Sequence, residues 1–338
     1  MVPALAVADA LRAEGAEVSF IGGERAEAQL VPAAGYPLRT ISVEGLSRSN
    51  PLRAARALAR SASAVMSSRA LLAELDPDAV MGGGGYVAAP VGAAALTRRI
   101  PLVLTEADSH LGLTNRALAP FARRVCLSFA IGGRAGSRYR VTGRPIPAFD
   151  TDRASARERF GIPSGELCVL VFGGSLGART INQAALGAFS SEAFRVLHVC
   201  GRRDYPELSK RPLPAGYDLR EYLDIAQFTD ALVACDLVVA RAGGSVFEIA
   251  AHGLPAILVP YPHAAADHQR TNARWMAQAG AAIVIDDADL NAAGLAREVA
   301  ALLANTARLT AMASASRSLA RPGAAGDIAA ELLEAAER

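Results

Sequence analysis

Residues 76–116, DPDAVMGGGGYVAAPVGAAALTRRIPLVLTEADSHLGLTNR, and residues 234–274, ACDLVVARAGGSVFEIAAHGLPAILVPYPHAAADHQRTNAR, follow one plan. Each passes through a short apolar run, a glycine turn, a small-residue helical stretch, Ile-Pro or Leu-Pro, a second apolar run, a polar loop and Thr-Asn. Pro101 falls on Pro255, an offset of 154 positions. A period that long is a whole domain written twice, because solenoid repeats recur every few tens of residues. The 338 residues leave room for two domains, each with its own core.

The apolar runs outside this pair complete the pattern. EVSFIG, DAVMG, PLVLTE and RVCLSF in the first half, then CVLVFGG, RVLHVCG, DLVVARAGG, AILVPYP and AAIVI in the second, alternate with longer alanine-rich amphipathic stretches. Short continuous apolar runs are strands buried on both faces, and helices between them make the sheets parallel. The class is therefore α/β, with two doubly wound, Rossmann-like domains. Residues 141–154, VTGRPIPAFDTDRA, are rich in proline and turn formers and read as the linker. Two such domains facing each other bind ligands in a cleft at the C-terminal ends of their strands.

Bulk properties exclude several alternatives. A net charge of +2 with 20% charged residues does not call for nucleic acid as a partner. Cys126, Cys168, Cys200 and Cys235 are far apart, without a Cys-x-x-Cys pair, and read as buried thiols in a reducing compartment. No run approaches a membrane span, and the sequence begins without a secretory leader pattern. His263 and His268 are five positions apart with Asp267 between them, which is not the spacing that sets two imidazoles on one helical face, so no metal site is expected.

Three glycine turns follow strands: GGGGYVAAP (82–90), GGSLGAR (173–179) and RAGGSVFEIA (241–250). The second fits two chemistries. Gly173-Gly174-Ser175-Leu176-Gly177 matches the G-x-S-x-G elbow of a hydrolase, with Ser175 as nucleophile and Asp236, His252, His263 or His268 as partners. It also fits a phosphate cradle, in which small residues let helix N-terminal amides close on an anion. The duplication and the two sibling turns favour the cradle, since a hydrolase sheet is single. Glu248, four residues after Gly244, is either a first-turn acid favoured by the helix dipole or a carboxylate placed to accept both hydroxyls of a ribose. Loop side chains around Gln269 suit sugar hydroxyls.

The segments VPALAVADALRAEG, LVPAAGYPLRTISVEGL, GGYVAAPVGAAA, EADSHLGLTNRALAPFA, VTGRPIP, GGSLGARTINQ, RAGGSVFEIAAHGLPAILVPYPHAAADHQRTNA and AGAAIVI resemble, in order and spacing, the MurG family of bacterial peptidoglycan enzymes. The resemblance covers nearly the whole chain and implies an inverting, metal-independent GT-B glycosyltransferase that needs no cofactor. It would move N-acetylglucosamine from UDP-N-acetylglucosamine to undecaprenyl-linked lipid I, forming lipid II at the cytoplasmic face of the plasma membrane. Residues 1–145 would be the acceptor- and membrane-facing domain, residues 146–317 the UDP-sugar domain, and a C-terminal helix at about 318–338 would pack back on the first. Carried over by motif, Gly174 and Ser175 would contact phosphate, with Gly243, Gly244 and Ser245 at a second phosphate turn. Leu223 would lie at the uracil, Glu248 at the ribose and Gln269 at sugar hydroxyls. Arg144 would replace a nucleotide-associated arginine, since Pro147 stands in that residue's place. Glu106, Asp108 and His110 would lie in the cleft.

One departure concerns the base. In the family a strand and a Gly-Gly-Thr-Gly-Gly-His loop precede the segment matched by Val2–Leu5, where this sequence starts at Met1. The histidine favoured as general base would lie upstream of Met1, which leaves the catalytic base unknown, with Glu106, Asp108 and His110 as candidates. The expectation is donor binding with weak or no transfer. Residues 50–75 set Arg53, Arg56, Arg60 and Arg69 among Leu52, Leu58, Val65 and Met66, either a core-packed helix or one lying on an anionic membrane surface. Two rival functions stand beside this one: a GT-B transferase with another lipid or small-molecule acceptor, and a UDP-sugar 2-epimerase.

Overall fold

The computed structural model describes residues 1–24, 26–41, 51–149, 152–174, 176–189, 194–264 and 267–337, with the side chains of 26 and 51–62 outside the description. The chain divides into two compact units. Unit 1 joins Met1–Ala148 to Arg321–Arg338, and unit 2 is Phe149–Ala320.

Unit 1 runs α1 (Val2–Ala13), β1 (Phe20–Gly22), α2 (Ala26–Ala33), β2 (Leu38–Thr40), α3 (Pro51–Leu75), β3 (Val80–Gly82), α4 (Gly85–Thr97), β4 (Leu102–Glu106), α5 (Leu113–Leu118), β5 (Arg124–Leu127) and β6 (Tyr139–Val141). Its strands pair in parallel throughout, as runs buried by helices on both faces require. Among the described residues they form two sheets, ordered β1-β2 and β3-β4-β5-β6.

Unit 2 runs α6 (Arg153–Arg159), β7 (Cys168–Phe172), α7 (Arg179–Ala188), β8 (Arg195–Val199), α8 (Tyr205–Leu208), β9 (Tyr217–Arg220), α9 (Ile225–Ala234), β10 (Leu237–Ala240), α10 (Val246–Ala251), β11 (Ala256–Leu258), α11 (His268–Gln278), β12 (Ala282–Val284), α12 (Ala292–Leu303) and α13 (Thr306–Leu319). Here one parallel sheet is ordered β12-β11-β10-β7-β8-β9, so its first strand lies at the centre and the order reverses there. Every residue of β7 and β10 is buried. Burying a valine or leucine contributes about 1.5–3 kcal/mol, which makes this run the backbone of the unit.

In unit 2, β7 precedes α7 and lies between β8 and β10. Among the described residues of unit 1, β1 pairs only with β2, and β3 only with β4, so each is paired on one side.

The last helix, α14 (Ala324–Ala336), belongs to unit 1. Its Ile328, Leu332 and Ala335 join Val7 of α1, Val103 of β4 and Cys126 of β5 in one apolar cluster. Glu331, only 4% exposed, accepts hydrogen bonds from Arg124 and Arg140, which compensate its desolvation. Those hydrogen bonds hold its carboxyl below the usual range although burial pulls the other way.

Candidate functional site

In unit 2 the glycine turn after β7 is shaped by close backbone approach. Gly174 and Gly177 have φ of +91° and +80°, left-handed conformations that glycine adopts without strain. A Cβ on Gly173 would strike Ala178, and one on Gly177 would strike the Cys200 carbonyl at the end of β8. The turn therefore lies directly on the next strand's turn. It leads into α7, whose N-cap position is Ala178, with no side-chain cap and no acid in its first turn. First-turn amides without a capping side chain, together with the positive end of the helix dipole, suit an anion. Ser175 lies outside the described residues; Leu176 beside it is exposed.

The turn after β10 is built from a different set of contacts. Asn272 on α11 donates from Nδ2 to the carbonyls of Ala242 (3.0 Å) and Gly243 (3.4 Å). Gln269, one turn earlier on α11, accepts the Tyr261 N–H at 2.9 Å, and its Nε2 would lie 3.9 Å from a Cβ on Gly243. Ser245 caps α10 by position without a side-chain hydrogen bond, and Glu248 occupies the first turn, half-buried. Leu223 is buried just before α9. Gly174, Leu223, Gly243, Gly244, Ser245, Glu248 and Gln269 thus all follow strands of one sheet and collect at its C-terminal edge, where open α/β sheets bind ligands.

Unit 1 carries Glu106, Asp108, His110 and Arg144. Glu106, at the end of β4, is 7% exposed and accepts from Gly112 N–H (2.8 Å), Asn115 Nδ2 (2.9 Å) and Asp108 N–H (3.2 Å). Its carboxylate therefore organises the 106–115 loop. Asp108 is half-buried and His110 exposed on the same loop. Arg144 lines a cavity of about 30 Å³ with Thr105, Glu106 and Ser128. Asn115 and Asn272, the asparagines of the two Thr-Asn pairs, each brace the end of a strand in their own unit: Asn115 holds the Thr105 carbonyl and the Glu106 carboxylate, and Asn272 the carbonyls of the Ala242-Gly243 turn.

Several residues at the unit 2 edge carry no local motif. Arg241 donates to the carbonyls of Val259 (3.1 Å) and Pro260 (3.3 Å) and to Thr180 Oγ1 (2.9 Å), and pairs with Asp287. Thr180 in turn donates to Asp287 at 2.6 Å. Arg241 thereby links the ends of β10 and β11, the first turn of α7 and the segment after β12. The arginine is visible in RAGGS, but its partners lie 18 to 61 positions away. Among the described residues no group of three or more His, Cys, Asp or Glu side chains is placed to hold a metal ion.

Two doubly wound units, one with uncapped glycine turns and a first-turn glutamate at its C-terminal sheet edge, define a GT-B glycosyltransferase. The family models for the glycosyltransferase family 28 N-terminal and C-terminal domains match residues 1–127 and 168–328. The chain belongs to this family, on the branch of the UDP-N-acetylglucosamine–N-acetylmuramyl-(pentapeptide) pyrophosphoryl-undecaprenol N-acetylglucosamine transferases, the MurG family. It is 40% identical over 357 residues to the transferase of that name from Moorella thermoacetica, covering 99% of this chain and 95% of the relative. The one from Rubrobacter xylanophilus is 41% identical over 337 residues, with 97% and 98% covered. The crystal structure of Acinetobacter baumannii MurG matches with a TM-score of 0.75 at 29% identity, over 98% of this chain and 95% of that one. A Neisseria meningitidis UDP-GlcNAc 2-epimerase shares the fold alone, at TM-score 0.69 and 13% identity over 99% and 98% of the two chains.

Proposed function

We propose that this chain transfers N-acetylglucosamine from UDP-N-acetylglucosamine to undecaprenyl-pyrophosphoryl N-acetylmuramyl-pentapeptide, lipid I, to give lipid II. The observation that carries the reading is identity of about two residues in five with the Moorella transferase across both units, acceptor half included. The 2-epimerase, by contrast, shares only the architecture.

In the reaction the acceptor hydroxyl oxygen bonds to the sugar's anomeric carbon as the bond from that carbon to the diphosphate oxygen breaks. UDP leaves with the electron pair, and the hydroxyl proton passes to a base. Negative charge grows on the diphosphate, so the amides of α7's first turn, with Gly174 and Ser175, stabilise the leaving group. A well-aimed donor contributes about 3 kcal/mol to such a step. Gly243, Gly244 and Ser245 form the second phosphate turn. Leu223 meets the uracil, Glu248 accepts the ribose hydroxyls, Gln269 reads the sugar and Arg144 serves the nucleotide. Glu106, Asp108 and His110 on the unit 1 loop are the candidates for that base, and the Glu106 carboxylate is held there by three N–H donors.

Lipid I lies in a membrane, and the protein works as a peripheral enzyme on the anionic cytoplasmic face of the plasma membrane. Among the described residues no helix is long and apolar enough to cross it. Unit 1 exposes Met66 and Arg69 on α3, Leu113 and Arg116 on α5, and Phe121 and Arg123 just beyond, pairing apolar anchors with cations. The earlier part of that basic stretch, Leu52 to Arg60, lies where side chains are not described. Release of UDP from UDP-N-acetylglucosamine, measured with and without a lipid I analogue, tests the function. Release that does not rise with the analogue would sink it.

A further inference from the structure

In β8, Arg195-Val196-Leu197-His198-Val199, the one polar residue that is fully buried is His198, between Leu197 and Val199. The imidazole is held at both nitrogens. Nε2 lies 3.0 Å from Asn182 Oδ1 and Nδ1 lies 2.7 Å from the Tyr217 hydroxyl. Asn182 Nδ2 donates to the Cys200 carbonyl and to Asp204 Oδ2, each at 2.9 Å. Its Oδ1 is therefore an acceptor only, which fixes the proton of His198 on Nε2 and leaves Nδ1 to accept from Tyr217 O–H. The chain of hydrogen bonds reads in one direction, from β9 through β8 to α7.

One end of this chain reaches the turn above it. Asn182 is in the first turn of α7, and Asp204 follows β8. Asp204 is also held by Arg203 at 2.9 Å and lies 3.5 Å from Arg179, the first residue of α7. Gly177 and Gly201 meet backbone to backbone between these ties, with no room for a side chain on either. An apolar core would let α7 slide along β8 at little cost, whereas a saturated buried polar network has one arrangement.

We propose that Asn182, His198 and Tyr217 are positioning residues for the donor diphosphate: they hold the start of α7 at a fixed height above β8, so that its first-turn amides meet the phosphates. The inference rests on the donor-site reading above. All three are buried, Asn182 at 1%, His198 at 0% and Tyr217 at 8% exposure, so they act through α7.

Dissociation constants for UDP and for uridine, measured by titration calorimetry, separate phosphate recognition from nucleoside recognition. The wild type binds UDP more tightly than uridine. Asn182→Ala lowers UDP affinity at least tenfold and leaves uridine affinity within about twofold, and Tyr217→Phe, remote from the turn and less disruptive, lowers UDP affinity about threefold with the same selectivity. A fall in both ligands together, or no fall in UDP, overturns the proposal, and if Asn182→Ala does not fold, Tyr217→Phe alone decides it by the same criteria. A wild type that binds UDP no better than uridine overturns the donor reading and the proposal with it.

Discussion

Arg241 and Asp287 lie 2.5 Å apart as an ion pair, and both are largely withdrawn from solvent, with side chains 11% and 18% exposed. Removing one partner of such a pair strands the other charge. Asp287→Ala leaves Arg241 with only neutral hydrogen-bond acceptors, two carbonyls and the Thr180 hydroxyl, and deprives Thr180 of its own acceptor. Breaking a fully buried pair costs about 3–5 kcal/mol, and residual exposure lowers the expectation here to about 2–3 kcal/mol. Urea unfolding of the variant checks it, and a change under 1 kcal/mol would show that the pair is incidental.

Gly177 and Gly201 are expected to tolerate no side chain. Both have left-handed φ, +80° and +85°, and a Cβ on either runs into the backbone of the other turn. Gly177→Ala and Gly201→Ala each lose UDP binding and destabilise unit 2 by about 2–4 kcal/mol, combining strain and overpacking. The double variant should be far from additive, because the first change already parts the turns. Calorimetric titration with UDP and thermal melts of all three proteins provide the comparison.

Acid should weaken the fold before the carboxylates titrate. Burial pushes His198 down to about 3 from an ordinary 6.5. Between those values the unfolded chain binds a proton that the folded chain refuses. Stability is therefore complete above pH 6.5 and falls by up to about 1.4 kcal/mol for each pH unit below it. His252, also lowered by burial, adds to the slope. Unfolding free energies from pH 7.5 to 4.5 in wild type and His198→Gln isolate the first contribution; equal slopes in the two proteins would contradict it.

Glu248→Gln should separate ribose from deoxyribose. Gln keeps one acceptor oxygen but loses the charge, a net loss of about one charge-assisted hydrogen bond worth about 1.5–3 kcal/mol, so UDP affinity should fall about tenfold to a hundredfold. The wild type should prefer UDP to its 2′-deoxy form and the variant should not. A preference that survives the substitution would remove Glu248 from the ribose.

The architecture was legible because buried parallel strands announce themselves. CVLVF, RVLHV, LVVA and their siblings are strands in the structure. The strands that the sequence hid are β2, β6 and β9, each at the edge of its sheet. Leu38-Arg39-Thr40 and Tyr139-Arg140-Val141 are covered on one side only, so their polar residues face water and no apolar run forms. At the site, glycine turns and a first-turn acid were readable because they are local. The His198 network was not, since its members lie 16 to 22 positions apart and meet only when β8, β9 and α7 have packed. A single histidine inside an apolar strand was the one trace it left.

The helix α14 gives the chain an order in time. Synthesis proceeds from the N-terminus at about 5–20 residues per second, and domains generally fold as they emerge. Unit 2, one continuous stretch from Phe149 to Ala320, can close as soon as it clears the ribosome. Unit 1 begins before unit 2 and must wait, because Ile328, Leu332 and the buried Glu331 come after the whole of unit 2. The unit begun first is finished last, and synthesis halted between unit 2 and α14 releases a protein whose unit 2 is complete while unit 1 lacks part of its core.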